Sequence, residues 1–207
     1  NSRPDFILLP ACFLFLSSKS KILIEMNHDS VKYFKNFSKI NNVYLLLGSI
    51  PITENDKLFN RSILINPDGD IISIYDKIHM FDITLKNGES YKESDFYSPG
   101  SELKITKVLG HSVGHTICYD LRYPKLYRAL AKKGSQIIVV PSAFTHTTGK
   151  AHWHSLIKAR AIENGVFILA PNQWGVNNEK RVTYGHTLIV DPWGETLAEA
   201  EDGEMII

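Results

Sequence analysis

Cysteine is scarce in this chain of 207 residues, where only Cys12 and Cys118 occur. Both lie in apolar surroundings, so a disulfide framework is excluded as the organising feature and reduced thiols are expected. Reduced thiols are typical of a cytoplasmic protein, and that is the predicted location. A chain of this length can bury a sizeable core without disulfides or a structural metal.

The chain also has no large excess of positive or negative charge. Lysine and arginine total 23 and aspartate and glutamate total 22, which gives a net charge of +1. No basic patch and no run of like charges stands out. This pattern argues against a nucleic acid as the main partner.

Long hydrophobic runs are absent as well. The apolar stretch near the start, Phe6 to Leu9 and then Ala11 to Leu16, is interrupted by Pro10 and is too short for a membrane span. Asp5 precedes it and lysines follow it, which is a poor match to a signal peptide. We predict a buried strand there and no membrane partner. Without any linker or low-complexity tract, residues 1–207 are expected to form one domain.

Short apolar runs rich in Ile, Val and Leu recur with turn signals between them, as buried strands do. The runs are Phe6–Leu9, Val43–Ile50, Ser62–Ile65, Ile71–Tyr75, Leu103–Val108, His115–Tyr119, Gln136–Val140, Val166–Ala170 and Thr187–Val190. Pro67-Asp-Gly-Asp70 predicts a hairpin turn, because Asp-Gly accepts positive φ at low cost. Pro192-Trp-Gly194 predicts another.

Three segments have the apolar spacing of helices. Their stripes are Val31, Phe34, Phe37 and Ile40; Tyr123, Leu126, Tyr127 and Leu130; and Trp153, Leu156, Ile157 and Ala161. Pro124 suits the first turn of the second helix, and Asn164-Gly165 is a normal end for the third. The mixed order of strands and helices indicates α/β layers with helices covering the outer faces of sheets. Periodicity alone does not fix the topology.

Cys118 lies in Gly114-His-Thr-Ile-Cys-Tyr-Asp-Leu-Arg-Tyr-Pro124, between an apolar strand and a helix that starts at proline. A strand-to-helix junction can aim a side chain into a cleft, and a neighbouring cation favours the nucleophilic thiolate. Position alone favours a buried structural cysteine, and the motifs around Cys118 reverse that interpretation.

The surrounding motifs carry a family resemblance. Tyr75-Asp-Lys-Ile-His-Met-Phe-Asp82 resembles the Tyr-x-Lys-x-His-Leu-Phe-Asp block of the nitrilase (carbon–nitrogen hydrolase) superfamily, and Thr116–Pro124 resembles its nucleophile block. Four further segments are similar to its loop and closing blocks: Gly88–Ser94 with Ser98–Gly100, Pro141–Phe144 with Gly149–Trp153, Lys158–Asn164, and Tyr184–Gly194. The nearest branch is that of the amidases acting on deaminated glutathione and related ω-amides.

The resemblance implies a four-layer α-β-β-α sandwich and cysteine-based hydrolysis of a small amide of a carboxylic acid, with no cofactor. Cys118 would be the nucleophile, and Lys77 with the backbone N–H of Tyr119 would stabilise the oxyanion. Glu93 would orient the lysine. On position alone, loop residues that follow strands would line the pocket: Phe144, Thr145, Asn172 and Gln173.

The pattern departs from the family where the general-base glutamate is expected. In Leu9-Pro-Ala-Cys-Phe13 an alanine, Ala11, stands at that position. A general base contributes ~10²–10⁴-fold, so impaired activity is expected. The resemblance also implies that an opening strand and helix and a closing segment are missing, and that a homodimer or larger assembly forms where they are present.

Three alternatives remain open. A catalytically inactive relative could bind a small amide or serve as an assembly partner. A papain-like Cys–His pair is conceivable but lacks its motif. His152 and His154, with His146 nearby, could be metal ligands, but a spacing of i, i+2 makes helical side chains diverge, so we expect no metal site.

Overall fold

The computed structural model describes residues 3–14, 16, 24–84, 88, 90–178 and 181–207. Phe15 of the first apolar run and Glu89 of the loop motif lie outside the described residues. Within the described part, no helix is long and apolar enough to cross a membrane.

Among the described residues, the first layers are one helix and a four-stranded sheet. The helix is α1 (Asp29–Asn41), and the strands lie in the order β1 (Phe6–Leu8), β2 (Tyr44–Glu54), β3 (Lys57–Ile65) and β4 (Ile71–Asp76). β1 runs parallel to β2, and the other pairs are antiparallel. The predicted turn at residues 67–70 joins β3 to β4, with Gly69 at φ +84°.

Two short hairpins stand apart from the main sheets: β5 (Asp82–Thr84) with β6 (Ser90–Lys92), and β11 (Trp174–Asn178) with β12 (Arg181–Tyr184). The second main sheet has six strands, which are β7 (Ile105–Val108), β8 (His111–His115), β9 (Ile137–Val139), β10 (Phe167–Ala170), β13 (Leu188–Val190) and β14 (Thr196–Glu199). Its order is β14-β13-β10-β9-β8-β7, with β8, β9 and β10 parallel. The remaining helices are α2 (Pro124–Lys132) and α3 (His146–Asn164), and a short 3-10 helix spans Cys118–Arg122.

The alternating direction of side chains along β2 explains why this strand packs on a helix on one face and on the second sheet on the other. In β2, Leu45 and Leu47 pack towards α1, in a cluster with Val31, whereas Leu46 packs with Val113 of the second sheet. Successive strand residues point to opposite faces, so β2 is buried on both sides and reads as a continuous apolar run.

The outer face of the second sheet is covered by the other two helices. Ile138 and Ile168 belong to one buried cluster with Tyr127 of α2 and Trp153 and Ile157 of α3. The order is therefore helix, sheet, sheet, helices, and the predicted four-layer α-β-β-α sandwich is confirmed.

Three local predictions need correction. Ile40 is 70% exposed and not on the buried face of α1, because residues spaced three apart drift by 60° at each step and nine residues carry the side chain to the opposite side. The strand expected at His115–Tyr119 ends at His115. Helix α3 begins at His146, well before Trp153, since the side chain of Thr145 caps it by accepting from Thr148 N at 3.4 Å.

Candidate active site

Cys118 lies where the chain leaves β8 and enters the 3-10 helix. Its φ of +48° is in the left-handed region, which a strand residue cannot adopt, and its N–H donates to Pro141 O at 2.9 Å. A non-glycine residue held in this conformation is a recurrent feature of functional sites. The thiol is half-buried and packs against a small cluster formed by Ala11, Tyr75 and Ile117.

A buried carboxylate holds this junction from inside. Asp120 is fully buried, and one of its oxygens accepts hydrogen bonds from Tyr75 Oη at 2.7 Å and Ile117 N at 3.0 Å. The other oxygen lies 3.0 Å from His79 N and 2.7 Å from His79 Nδ1. Asp120 therefore ties the segment carrying Cys118 to the segment that follows β4. Sequence reasoning missed this residue, although it stands inside the nucleophile motif.

Lys77 and Glu93 meet although 16 residues separate them. Lys77 is 2% exposed, and its Nζ lies 2.5 Å from Glu93 Oε2. Glu93 Oε2 also accepts from Phe81 N at 2.7 Å, and Glu93 Oε1 accepts from Asn60 Nδ2 at 3.0 Å. The lysine follows β4 directly, and its own N–H donates to Asn60 O, so backbone and side-chain contacts both fix it. The carboxylate thus has three donors and can hold the ammonium in one place.

The opposite charges of Lys77 and Glu93 stabilise each other. Burial disfavours the charged Glu93, but the charge of Lys77 and the hydrogen bonds outweigh it and lower the pKa of the carboxyl group. Burial also disfavours the Lys77 ammonium, yet the negative charges of Glu93 and of a Cys118 thiolate raise the pKa of the lysine above its usual value. The lysine is therefore a fixed cation within electrostatic reach of Cys118.

Ala11 faces the same cluster. It is 1% exposed and packs with Tyr75 and Ile117, against which Cys118 also lies. Its carbonyl accepts a hydrogen bond from Gln173 Nε2 at 2.8 Å. The methyl group of Ala11 therefore stands beside the nucleophile candidate, at the position where the resemblance places a glutamate.

The second thiol lies in the same region, which the sequence did not predict. Cys12 has φ +54°, and its N–H donates to Ser49 Oγ at 3.1 Å. Burial raises the pKa of its thiol, and the charges of Arg181, Glu93 and Lys77 also act on it. Burial therefore makes the Cys12 thiol less acidic than a free cysteine, although charged side chains lie near it.

The pocket candidates divide into two kinds. Phe144, Thr145 and Asn172 are buried and hold the loops together: Asn172 accepts from Phe144 N at 3.0 Å and donates to Gly185 O at 2.6 Å, and Thr145 caps α3. Gln173, half-buried, donates to the Ala11 carbonyl and thus contacts the segment at which the resemblance places the general base. Their role in lining a pocket stays a prediction.

Aromatic rings lie near the candidate active site, and arginine side chains pack on two of them. Tyr119 makes an edge contact with Phe81 at 5.1 Å, and Phe81 packs on Tyr91 at 5.0 Å. Arg181 lies over Tyr91 at 5.6 Å and donates to Ala143 O at 3.2 Å. The backbone role predicted for Tyr119 in oxyanion stabilisation also stays a prediction.

The three histidines considered as metal ligands, His146, His152 and His154, contact different partners. The ring of His152 faces Arg122 at 3.2 Å, whereas His154 Nε2 lies 2.8 Å from Glu199 Oε1. His146 makes an edge contact with Tyr184.

A fold of two packed sheets between helices, with a cysteine, a lysine and a glutamate brought together, defines the class of nitrilase-like hydrolases. The model of the carbon–nitrogen hydrolase family matches residues 3–207. The chain belongs to the carbon–nitrogen hydrolase family.

Individual relatives place it more narrowly. The chain is 37% identical to the nitrilase and fragile histidine triad fusion protein NitFhit of Drosophila melanogaster over 97% of its own length and 45% of that protein. It is 35% identical to the deaminated glutathione amidase of Dictyostelium discoideum, covering 97% of this chain and 74% of that protein. The structure of Saccharomyces cerevisiae Nit3, a member of branch 10 of the nitrilase superfamily, matches with a TM-score of 0.85 and 32% identity, covering 97% of this chain and 74% of that one.

These matches place the chain in the branch of deaminated glutathione amidases and ω-amidases. It spans less than half of the fusion protein and about three quarters of the other two.

Proposed function

We propose that this chain is an amidase-type hydrolase that cleaves a small linear amide of a carboxylic acid through a thioester on Cys118, with activity impaired at Ala11. The observation that carries the proposal is the buried Lys77–Glu93 pair, whose lysine is near enough to Cys118 for a thiolate there to raise the pKa of the lysine. Burying a lysine costs stability, which the ion pair with Glu93 offsets in part, and charged groups held in this way cluster at functional sites.

Each proposed step assigns a task to a described residue. The Cys118 thiolate attacks the amide carbon, and the carbonyl oxygen becomes an oxyanion. Lys77 Nζ and the N–H of Tyr119 stabilise that oxyanion, since preorganised donors act strongly in a site with little water. Glu93, with its three donors, positions the ammonium. A proton delivered by water to the amide nitrogen lets the C–N bond break, so that ammonia leaves and the thioester forms. A water molecule then hydrolyses the thioester to the carboxylic acid and frees the Cys118 thiol.

The weak point of this sequence of steps is proton transfer. Ala11 has no group that can take the proton of the thiol or later activate the water. The absence of a general base is expected to slow the reaction by ~10²–10⁴-fold, which corresponds to about 3–5 kcal/mol of barrier. Turnover is therefore expected to be slow but still dependent on Cys118.

Arg181 supports the choice of an amide that carries a carboxylate. Burial raises the pKa of the Cys12 thiol and the positive charge of Arg181 acts against that rise, so a cation lies within electrostatic reach of the second thiol of this region. A guanidinium is well suited to a carboxylate at the far end of a short substrate. The relatives named as deaminated glutathione amidases and an omega-amidase point to the same substrate class.

The second candidate is a non-catalytic relative that binds a small amide or assembles with a partner. Ala11 favours this reading, because the other parts of the site are kept while the base is not.

Ammonia release from ω-monoamides of short dicarboxylic acids and from deaminated glutathione separates the two. The first candidate predicts slow release that Cys118→Ala abolishes. Saturable binding of the amide by calorimetry, with release no faster than in Cys118→Ala, would favour the binder. Neither release nor binding would overturn both.

A further inference from the structure

A cluster of histidine and carboxylate side chains lies outside the proposed active site, where α3, the segment before β13 and the end of β14 meet. His154 Nε2 and His186 Nδ1 each lie 2.8 Å from the same oxygen, Glu199 Oε1. All three ligand atoms lie within 4.8 Å of one another. These residues are 32 and 13 positions apart along the chain, so only the fold brings them together.

We propose that His154, His186 and Glu199 form a binding site for one zinc ion. Two imidazole nitrogens and one carboxylate oxygen are a donor set that zinc takes in proteins, with water completing a tetrahedron. Neighbouring ligands in such a site are roughly 3.3 Å apart, as follows from metal–ligand distances of about 2.0–2.1 Å. The contacts of 2.8 Å therefore need to open by about half an ångström, as zinc replaces the protons that the two rings share with Glu199.

The surrounding contacts hold the ligands in this arrangement. His186 has φ +56°, and its carbonyl accepts from Trp153 Nε1 at 2.7 Å. Its ring stacks on Tyr184 with centroids 4.4 Å apart. Tyr184 in turn lies so close to the first turns of α3 that a Cβ on Gly149 would fall 2.3 Å from it. The position of His186 is thus set by the core and does not depend on the metal.

A second carboxylate, that of Asp202, lies beside His186 outside the set of three proposed ligands. Asp202 Oδ1 lies 3.6 Å from Nε2 of His186, on the side of the ring away from Glu199. A carboxylate at the other nitrogen commonly fixes the tautomer and raises the basicity of a metal-bound histidine. The rings of His154 and His186 and the Glu199 carboxylate are all about one quarter to one third exposed, so an ion can enter from solvent.

The test is titration of the chelator-treated full chain with zinc sulfate by calorimetry, with zinc per chain counted by elemental analysis after desalting. One zinc ion per chain is expected, with affinity at least ~10-fold weaker in His154→Asn, His186→Asn and Glu199→Gln. Asparagine is chosen at position 186 because it tolerates positive φ. Glu199→Gln keeps the shape of the side chain, and circular dichroism verifies that each variant is folded.

Two control variants decide where the ion binds. His152→Asn alters a histidine on the same helix that faces Arg122 and should leave the affinity unchanged. Cys118→Ser removes a thiol that zinc could also bind and should also leave it unchanged. Loss of binding in Cys118→Ser together with full affinity in His186→Asn would overturn the proposal, as would the absence of saturable zinc binding by the parent protein.

Discussion

Restoring a carboxylate at position 11 is the perturbation that the structure makes most informative. Ala11 is 1% exposed and shares a cluster with Cys118, so the side chain of Ala11→Glu starts next to the thiol. A recovered general base is worth ~10²–10⁴ in rate, or about 3–5 kcal/mol of barrier. We expect ammonia release from ω-amides to rise by that factor.

The same substitution has a stability cost. One methylene group and a carboxylate enter a closely packed region, which typically destabilises by about 1–3 kcal/mol. For a chain of this size each kcal/mol lowers Tm by roughly 2–4 °C. Tm should therefore fall by several degrees without loss of the fold, as a thermal melt followed by circular dichroism would show.

A matched control separates chemistry from packing. Ala11→Gln has nearly the same shape but cannot accept the proton, so it should lose stability like Ala11→Glu and gain no activity. Ala11→Glu combined with Cys118→Ala should be inactive. Equal gains in the Gln and Glu variants would refute the reasoning, as would no gain in a folded Ala11→Glu protein or rapid turnover by the parent.

Three further predictions follow from buried groups. Limited iodoacetamide labelling with peptide mapping should modify Cys118 faster than Cys12, because burial raises the pKa of the Cys12 thiol; preferential labelling of Cys12 would contradict this. Asp120→Ala should lower the free energy of unfolding by at least about 3 kcal/mol in urea titrations, since several buried donors lose their acceptor, and a change below 1 kcal/mol would show that water replaces it. Burial lowers the pKa of His115 to about 4, so between pH 6.5 and pH 4 the unfolded chain binds a proton that the folded chain does not. The neutral buried His115 therefore contributes about 3 kcal/mol of stability that is present above pH 6.5 and is lost as the pH falls to 4. His115→Asn should flatten the dependence of the free energy of unfolding on pH in that window, whereas substitution of the exposed His111 by asparagine should not.

Local patterns predicted the three helices and many of the strands, whereas the arrangement of the layers came from the family resemblance. The apolar run of β2, the Asp-Gly turn after β3 and Pro124 at the start of α2 all depend on residues near one another in sequence, and the structure has each of them. The beginning of α3 escaped prediction because Thr145 and the glycine at position 149 are typical of a turn. Only the contact of Gly149 with Tyr184 explains why a glycine stands in a helix there.

The contacts of the candidate active site could not be predicted from residues that are close in sequence. Lys77 and Glu93 are unremarkable as single residues, and the family resemblance was needed to pair them. Asp120 and the His186–Glu199 contact depend on long-range packing that no spacing rule describes. The stripe of α1 shows the reverse error, because a spacing of three residues continued to Ile40 passes round the helix to solvent.

The central claim is that Cys118 carries the acyl group of an amide substrate. It is tested most directly by intact-mass analysis of acid-quenched protein after incubation with an ω-amide. Without a base at position 11 to activate water, hydrolysis of the thioester should be slow. We expect an acyl adduct that maps to Cys118, is released by hydroxylamine and is absent from Cys118→Ala. An unmodified protein whose slow ammonia release persists in Cys118→Ala, or an adduct that maps to Cys12, would contradict it.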